Sequence, residues 1–401
     1  MNDSELQNTK ARMLASFDEF LAAMRRSAVA AMDRTSGRSA LDLAAGLRHV
    51  MSGTSMSLSM RLHDNDPLHP EIVHIMDPHR KFGGDNMDAL YTTAAVSARQ
   101  RYRLHGHRGS ARYISFVIQD KSVHFSGNIS SMLLGRDLKT DANGDFELFI
   151  GGPERSGNWI ELKPNADRVI IRQFFADWAS ERPMRVTIER LGAAVEPPRP
   201  TAESILTGLS ESAAMLEGLV VFWQDMMDIY RQRPNEFLNF RKAAAQVDMK
   251  DINATPGGTP YVCYWSVPED SALIIRVRPP QSEFWNLEFC NPWWETNDYR
   301  YRLSGTNMHH AVLEDDGELI AVVSHDDPGL PNWFDTSGFD EGLMDLRWIG
   351  GDESVVPKCT LIRRSELAAH LPAKVKTITA EKRRAQLADR HQGIYNRFNW
   401  M

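Results

Sequence analysis

The sequence is poor in cysteine and has no long apolar run, and each shortage excludes a class of protein. Its 401 residues include three cysteines, Cys263, Cys290 and Cys359, with no CxxC pair. A disulfide framework and a thiolate zinc site are therefore not expected. The longest apolar stretch, around Leu219 to Trp223, is far too short to span a bilayer. The first residues lack the charged-then-apolar pattern of a signal peptide, so we expect a cytoplasmic protein with no membrane partner.

Several motifs for cofactors and nucleophiles are missing as well. No GxSxG, GxxxxGKS/T or HExxH motif occurs. The stretch GGDNMDAL at 83–90 has no βαβ pattern around it that would make it a dinucleotide loop. Nicotinamide, flavin and ATP dependence are disfavoured, and no cofactor is predicted. The net charge of −7 argues against a nucleic-acid partner.

The composition that remains is that of an ordinary globular protein, with 42% hydrophobic and 25% charged residues. The length exceeds what one hydrophobic core usually supports, which favours two domains. Residues 5–33 predict an amphipathic helix that packs on the body of the protein, from Leu6, Met13, Phe17, Phe20 and Met24. Thr201 is a predicted N-cap of a long helix that ends before Pro234, and Asn235 is a predicted cap of a second helix to about Val247.

Short strand-like runs separated by Gly, Asn and Asp turns fill two other parts of the chain, which predicts antiparallel sheets. The predicted organisation has five parts. They are a helical N-terminal segment at 1–60, a first β domain at 61–195, a helical linker at 196–255, a second β domain at 256–365 and a helical tail at 366–401.

The two β regions match each other in sequence. DANGDFELFIGGPERSGNW (141–159) parallels EDDGELIAVVSHDDPGLPNW (314–333). Downstream, RVIIRQFF parallels GLMDLRWI, which aligns Arg172 with Arg347. We therefore predict an α+β, mainly β protein with two related antiparallel β domains. A cleft between two such copies is a favoured place for a ligand.

A resemblance to a known family rests on these same residues. HDDPGLPNWFDTSGFDEGLMDLRW (325–348) resembles the signature of the bacterial domain-of-unknown-function 1214 family. GNWIEL and VIIRQFFADW, within 157–178, are similar to the related first module of that family. The resemblance covers roughly 100–195 and 260–365, and it implies β-sandwich or jelly-roll-like modules with helical additions. It brings no catalytic residues with it.

His325 is the first candidate for catalysis, because histidine beside carboxylates can act as a general acid or base. It is followed by two aspartates and precedes an Asn-Trp pair, and Asp335 lies just beyond as a candidate substrate contact. The alternative is that these polar residues satisfy backbone groups in a tight turn. The first copy keeps the pair as Asn158 and Trp159 but has Gly-Pro-Glu-Arg in place of His-Asp-Asp-Pro. The Asn-Trp pair is therefore predicted to be structural.

Arg172 and Arg347 stand within runs of apolar strand residues. A charged group in such a run must be paired or must face a cavity. The functional interpretation is a clamp for an anion or a phenolate, since guanidinium binds oxyanions in bidentate fashion. The alternative is an ion pair that the repeat carries twice for structural reasons.

Aromatic residues crowd the start of the second β region. They could line a pocket for a flat ligand, with Tyr299 also a candidate catalytic group. The alternative is ordinary core, because alternate strand residues face opposite ways. The candidate substrate-binding residues are Trp265, Trp293, Trp294 and Tyr301.

His105 and His107 form an HxH pair whose rings would share one face of a strand. A metal site would need a third ligand, which the following residues RGSARYISF do not offer. No metal is predicted, and both histidines are expected to make hydrogen bonds or to share a substrate pocket with Tyr113.

These residues favour a cofactor-independent enzyme, a carbon–carbon lyase or isomerase that handles a small hydrophobic or aromatic substrate by acid–base chemistry. Through the resemblance we associate the chain with aromatic catabolism, including formaldehyde-releasing cleavage of lignin-derived compounds. One alternative is a non-catalytic carbohydrate or small-ligand binding protein, and another is a hydrolase or oxygenase with a histidine-bound metal. The amphipathic N-terminal helix and the aromatic tail could bury a homodimer contact.

Overall fold

A computed structural model of the protein describes residues 2–35, 39–122, 127–196, 199–245, 255–258 and 260–398. These residues form two β-sandwiches and a set of helices. Each sandwich consists of a five-stranded sheet and a four-stranded sheet. The predicted fold class, α+β and mainly β with two related antiparallel domains, is confirmed.

The first sandwich contains nine strands. They are β1 Val73–Met76, β2 Ala89–Ala95, β3 Tyr102–His107, β4 Tyr113–Asp120, β5 Ile129–Leu134, β6 Asp145–Ile150, β7 Trp159–Ile160, β8 Ala166–Phe174 and β9 Arg185–Arg190. The five-stranded sheet has the order β1-β2-β8-β4-β5, and the four-stranded sheet has the order β7-β6-β3-β9. Neighbouring strands are antiparallel except for β6 and β7, which are parallel.

The second sandwich repeats this topology strand by strand. Its strands are β10 Phe237–Asn239, β11 Tyr261–Ser266, β12 Ser271–Val277, β13 Phe284–Cys290, β14 Gly305–Asn307, β15 Leu319–Ser324, β16 Trp333–Asp335, β17 Glu341–Ile349 and β18 Lys358–Arg363. The sheet orders are β10-β11-β17-β13-β14 and β16-β15-β12-β18, so each strand number is that of its counterpart plus nine. The parallel pair β15 and β16 matches β6 and β7.

The Asn-Trp pair makes equivalent hydrogen bonds in both copies. Asn158 exchanges two hydrogen bonds with the backbone of Lys139 and also donates to the backbone carbonyl of Glu147. Asn332 makes the corresponding bonds, two of them with the backbone of Val312. The indole that follows each asparagine donates to a backbone carbonyl at the end of the preceding strand. Each asparagine thus satisfies backbone groups of a loop that has no sheet partner there.

The two five-stranded sheets face each other across the domain interface. Phe174 of β8 and Phe284 of β13 meet with ring centroids 5.4 Å apart. One face of each of these sheets lies in the core of its own sandwich, and the other lies in a core shared with the opposite domain. This double burial explains why β8 and β17 are apolar along nearly their whole length rather than alternating.

Six α-helices pack on the sandwiches within the described residues. They are α1 Asp3–Thr35, α2 Ala40–Leu58 with a π-helical turn at Ser59–His63, α3 Ala202–Arg231, α4 Phe240–Ala244, α5 Leu367–His370 and α6 Ala380–Phe398. Thr201 caps α3 as predicted, since its side chain accepts from the backbone N–H of Ser204 at 3.0 Å. α1 packs along α3 and α2, although Leu6 and Phe17 of its apolar stripe are exposed. The predicted homodimer contact remains a prediction.

By length and composition alone, α3 is apolar enough to cross a membrane. In the structure its apolar residues pack against both sandwiches, with Met215 and Trp223 in the shared interdomain core and Leu216 and Val220 in the core of the second sandwich. Its apolar stripe is thus the one that a helix at a domain junction requires.

The second helix predicted in the linker is wrong in its first part. Phe237–Asn239 is strand β10, which pairs with β11 at the edge of the second sandwich. Asn235 adopts a positive φ of 63° and exchanges two hydrogen bonds with the backbone of Ser266. Asn239 caps the short α4 instead. The rest of the prediction, at 246–247, lies outside the described residues.

The segment at 81–88, which runs between the sandwiches, connects them through buried polar groups. The carboxylate of Asp88 accepts hydrogen bonds from Trp178 of the first domain and from Asn286 and Asn307 of the second, at 2.7–2.9 Å. A buried carboxylate with several donors is well satisfied. This segment therefore fixes how the two five-stranded sheets face each other.

Replacing either paired asparagine with alanine should destabilise the protein. We expect Asn158→Ala and Asn332→Ala each to lower the free energy of unfolding by about 2–4 kcal/mol, because buried backbone groups lose their partners. Urea unfolding at neutral pH measures this. Asn143→Ala in an exposed turn is the control, with an expected loss below about 0.5 kcal/mol. Equal effects at all three positions would contradict the structural role.

Candidate active site between the two sandwiches

A cavity of about 90 Å³ lies between the two five-stranded sheets. The first sheet contributes Tyr91 and Arg172 to its lining, and the second contributes Asp345 and Arg347. Trp223 of α3, Trp294 and the turn at 83–84 also border it, together with further, mostly apolar residues. At about 30 Å³ of liquid volume per water, it has room for about three waters. It is smaller than the cavity of about 150 Å³ that holds benzene, so the side chains around it must move to admit an aromatic ring.

The two repeated arginines meet at this cavity. Arg172 on β8 lies opposite Tyr91 and Ser115 in the strand register, and Arg347 on β17 lies opposite Asn286. Both side chains are largely buried. Because the five-stranded sheets face each other, equivalent positions of the two copies point into the same space. The sequence repeat therefore produces one site with two arginines rather than two separate sites.

Arg347 is held by carboxylates of its own sheet. Its guanidinium forms an ion pair with Glu288, lies 3.7 Å from the Asp345 carboxylate and donates to the carbonyl of Gly84 at 3.2 Å. Burial alone would lower the pKa of Arg347, but Glu288 and Asp345 raise it above its ordinary value. Arg347 therefore stays charged in the buried site.

Glu288 and Asp345 form a buried carboxyl pair. They lie directly opposite each other on β13 and β17, and the guanidinium of Arg347 lies close to both carboxylates. Burial raises the pKa of both carboxyls, and Arg347 counteracts that rise. Two neighbouring carboxyls with raised pKa values are suited to hold a proton between them. Asp345 is the member of the pair that lines the cavity.

Arg172 has a different electrostatic environment from Arg347. Burial lowers the pKa of Arg172, the Tyr91 and Tyr113 hydroxyls raise it, and Arg347 lowers it further. The carboxylates that hold Arg347 belong to the second sheet, so the first sheet presents its arginine among tyrosines. A guanidinium in such a place is suited to an anionic group of a ligand.

Two glycines allow the aromatic wall to close on the cavity. Gly83 and Gly84 have φ values of 58° and 70°, which favour glycine. A Cβ at Gly83 would come within 2.7 Å of the Trp223 ring, and one at Gly84 within 2.9 Å of Nε1 of Trp294. The two indoles meet edge to face at 5.3 Å, and Trp294 donates to Asp345 at 2.7 Å.

Trp294 is the one tryptophan among the predicted binding residues that lines this cavity. Trp293 turns away from it and stacks on His49, with ring centroids 5.4 Å apart. Trp265 lies in the core of the second sandwich, where it stacks on Phe289 and donates to the carbonyl of Cys290.

The structure places His325 in the loop after β15, away from the interdomain cavity. Its Nε2 lies 3.0 Å from the carbonyl of Val267, and its Nδ1 lies 3.2 Å from the Thr336 hydroxyl. Asp335 accepts from Arg302 at 2.8 Å in the same loop region. Both predicted residues hold loops together here, and neither meets Arg172 or Arg347.

The predicted tyrosines are dispersed as well. Tyr299 is buried beneath the ammonium group of Lys81, 4.1 Å from the ring centroid, and burial raises its pKa. Tyr301 is 60% exposed and stacks on His391. Tyr113 lies in the interdomain core, and its hydroxyl donates to the carbonyl of Pro256 at 2.8 Å.

His105 and His107 border a different cavity, which lies in the first sandwich. His107 is bound into a turn, with Nε2 3.0 Å from the carbonyl of Asn143 and Nδ1 accepting from the backbone N–H of Gly109. Within the described residues, no group of three or more His, Cys, Asp or Glu side chains is arranged to hold a metal ion.

Sequence reasoning missed Tyr91, Trp223, Glu288 and Asp345 as site residues. The signal for the two carboxyls was present, because NLEF and MDLR also place a charge within an apolar strand run. The rule that such a charge must be paired or face a cavity applies to them as it does to the arginines. That they are opposite each other depends on strand pairing, which the repeat alone does not show.

Replacing Glu288 with glutamine should change how stability depends on pH. A carboxyl whose pKa is higher in the folded state stabilises the fold while it is protonated, and that contribution is lost as the pH rises through the folded-state pKa. The free energy of unfolding of wild type minus that of Glu288→Gln should therefore fall as the pH rises above 4.5, the ordinary glutamate value. Urea titrations across this range measure it. Glu147→Gln on an exposed strand is the control, and a flat difference for Glu288→Gln would refute the assignment.

No family model matches the sequence, and no curated protein matches it. Among solved structures, the chain is similar to the crystal structure of an uncharacterized protein from Burkholderia cenocepacia, with 28% identity and a TM-score of 0.83 over 90% of this chain and 99% of that one. It is also matched to a protein from Vibrio parahaemolyticus, with 11% identity and a TM-score of 0.45 over 79% of this chain and 98% of that one. Because the first similarity covers 90% of this chain, it includes most of the two-domain arrangement.

Proposed function

We propose that the protein is a cofactor-independent enzyme, a carbon–carbon lyase that acts on a small aromatic substrate in the interdomain cavity by acid–base chemistry. The observation that carries this proposal is the pairing of two unlike walls in one cavity. One wall presents Arg172 among tyrosines, and the other presents Asp345, a buried carboxyl with a raised pKa beside Glu288. An oxyanion site facing an acid–base group is the arrangement that heterolytic bond cleavage requires.

Asp345 is the proposed general base. Its raised pKa brings a carboxylate closer to the operating pH, where general-base catalysis is most effective. Trp294 donates to its Oδ2 and orients the group, and Arg347 keeps the pair partly ionised. This replaces His325 as the preferred base, because His325 lies outside the cavity.

The reaction that fits this arrangement releases formaldehyde from an aryl ether with a hydroxymethyl group on the neighbouring carbon. Asp345 takes the hydroxyl proton, and the O–H electrons form the carbonyl of formaldehyde. The carbon–carbon bond breaks, its electrons form an alkene, and the ether C–O bond breaks with its electrons on the departing aryloxide. The aryloxide binds to Arg172 and then receives the proton from Asp345, so no oxidant or reductant is consumed.

The size of the cavity limits the substrate. At about 90 Å³ it must widen to take even one ring, and two linked rings would require a far larger movement of the two sheets. The proposed substrate is therefore a single-ring phenolic ether, smaller than the lignin-derived dimers with which the resemblance associates the chain. Membership of the domain-of-unknown-function 1214 family is part of this proposal, and its motif at 325–348 spans β16 and most of β17, which carries Asp345 and Arg347.

The experiment is a screen of single-ring hydroxymethyl aryl ethers for equimolar release of formaldehyde and phenol. Asp345→Asn should lower kcat at least about 100-fold, since it removes the base but keeps an acceptor for Trp294. Arg172→Gln should lower kcat/KM by a similar factor.

His325→Ala is the matched comparison, and its kcat should stay within about twofold of wild type because its contacts are with a loop. Loss of turnover in His325→Ala with full activity in Asp345→Asn would move the reaction away from the interdomain cavity. Formaldehyde release from none of the ethers would reject this reaction.

A further inference from the structure

A second and larger cavity, of about 930 Å³, lies between the two sheets of the first sandwich. Leu90, Thr92 and Gln173 of the five-stranded sheet line it on one side, and β3 and β9 line it on the other. Exposed residues at its rim, including Ser110 and Arg185, open it to solvent. Its volume lies in the range typical of small-molecule sites.

The second sandwich fills the corresponding space with aromatic side chains. Gln173 directly follows Arg172, and Trp348 directly follows the equivalent Arg347, so the two occupy the same position. Thr92 lies opposite the residue that precedes Arg172, and Tyr261 lies opposite the residue that precedes Arg347.

The same comparison holds on the next strand, where Ile114 lies opposite Gln173 and Trp285 lies opposite Trp348. Trp285 and Trp348 pack edge to face at 5.7 Å in the core of the second sandwich. Where one copy has a tyrosine and two tryptophans, the other has Thr92, Gln173 and Ile114. The cavity therefore arises from smaller side chains at equivalent positions of one fold.

Three buried polar atoms on residues of the lining have no partner among the described residues, and each has almost no solvent-accessible surface. They are Nη2 of Arg397, Oγ1 of Thr92 and Nδ1 of His74. Arg397 and Thr92 are each 5% exposed. A buried polar group without a partner is costly, so a ligand that enters the cavity and reaches these atoms after a small side-chain movement would gain hydrogen bonds from them.

Arg397 is held firmly in position by α6 and the first domain. Its Nη1 donates to the carbonyl of Met87 at 2.6 Å, and its guanidinium lies over the rings of Phe175 and Trp178 at 4.8 and 4.9 Å. Burial lowers its pKa to about 10, against the effect of Asp88, so the group is charged at neutral pH. A rigid guanidinium with a free N–H group is suited to a carboxylate.

The rest of the lining is basic and apolar. Arg182 and Arg185 add positive charge at the rim, and Asp145 is the acidic residue that borders the cavity. Leu90, Met184 and Ile72 supply apolar surface. The lining thus matches a molecule with an apolar body and one anionic group.

We propose that the first sandwich binds an organic carboxylate with an apolar body between its sheets, with Nη2 of Arg397 donating to the carboxylate. Thr92 and His74 of the lining offer further polar contacts. This site is separate from the interdomain one, because Gln173 and Arg172 are neighbours on β8 and face opposite sides of the sheet. The proposal does not depend on the proposed lyase activity.

Naphthoate is the probe, with the uncharged naphthylmethanol as its matched ligand, and calorimetric titration of the full chain measures both. Wild type should bind naphthoate more tightly than the alcohol. Arg397→Gln should weaken naphthoate binding about 10–100-fold, since one charge-assisted hydrogen bond is lost, and should change alcohol binding less than about threefold. An equal loss for both ligands would overturn the role of Arg397.

Thr92→Tyr introduces the side chain that the second copy carries as Tyr261 and should reduce binding of both ligands at least about tenfold by filling the space. Thr92→Ser is the control and should bind both as wild type does. Unchanged binding in Thr92→Tyr would place the probe elsewhere, and absence of naphthoate binding to wild type would reject the site. If Thr92→Tyr does not fold, the Arg397→Gln comparison decides alone.

Discussion

The burial of charge between two facing sheets is the constraint on which the rest of the molecule depends. Arg172 and Arg347 come from equivalent strands, and the packing of one sheet on the other takes both out of water. Burying guanidinium groups is costly unless carboxylates or a ligand compensate. The second sheet supplies Glu288 and Asp345, and the segment at 81–88 fixes the sheets at the spacing that keeps this network together.

The two copies share a topology but divide the chemistry between them. The position that holds Asp345 in the second copy holds Ile170 in the first, and both lie two residues before the repeated arginine. As a result one arginine is fixed in an ion-pair network while the other is surrounded by tyrosines. If both copies carried the same carboxylates, the two arginines would be ion-paired in the same way, and the two walls of the cavity would be chemically alike. The sequence differences between the two copies therefore give the interdomain cavity two chemically different walls.

The sequence alone was enough to predict the repeat, and from it two β domains, because turn residues and strand runs recur at a nearly constant spacing. It also identified Arg172 and Arg347 as candidate site residues, because a charged side chain within an apolar strand must be paired or must face a cavity. The sequence could not predict that Glu288 and Asp345 form a pair, because they come together only when strands β13 and β17, which are far apart in the chain, pair with each other. His325 was attractive as a residue type, but its ring nitrogens are engaged by Val267 and Thr336 in a loop. β10 was read as helix because three residues are too few to show alternation, and only their pairing with β11 makes them a strand.

The alternation of side chains along β8 explains how one duplicated strand can serve two cavities. Arg172 faces the opposite domain, and Gln173 faces the interior of its own sandwich. In β17 the same step runs from Arg347 to Trp348, and the indole closes the interior that glutamine leaves open. A substitution at the position that faces the other domain therefore changes the shared site, whereas a substitution at the position that faces the interior changes one sandwich alone. Because the two faces are separated by the sheet, a cavity can form inside one sandwich without disturbing the charge network on the outer face. The two copies can therefore have different interior side chains while they keep the same fold.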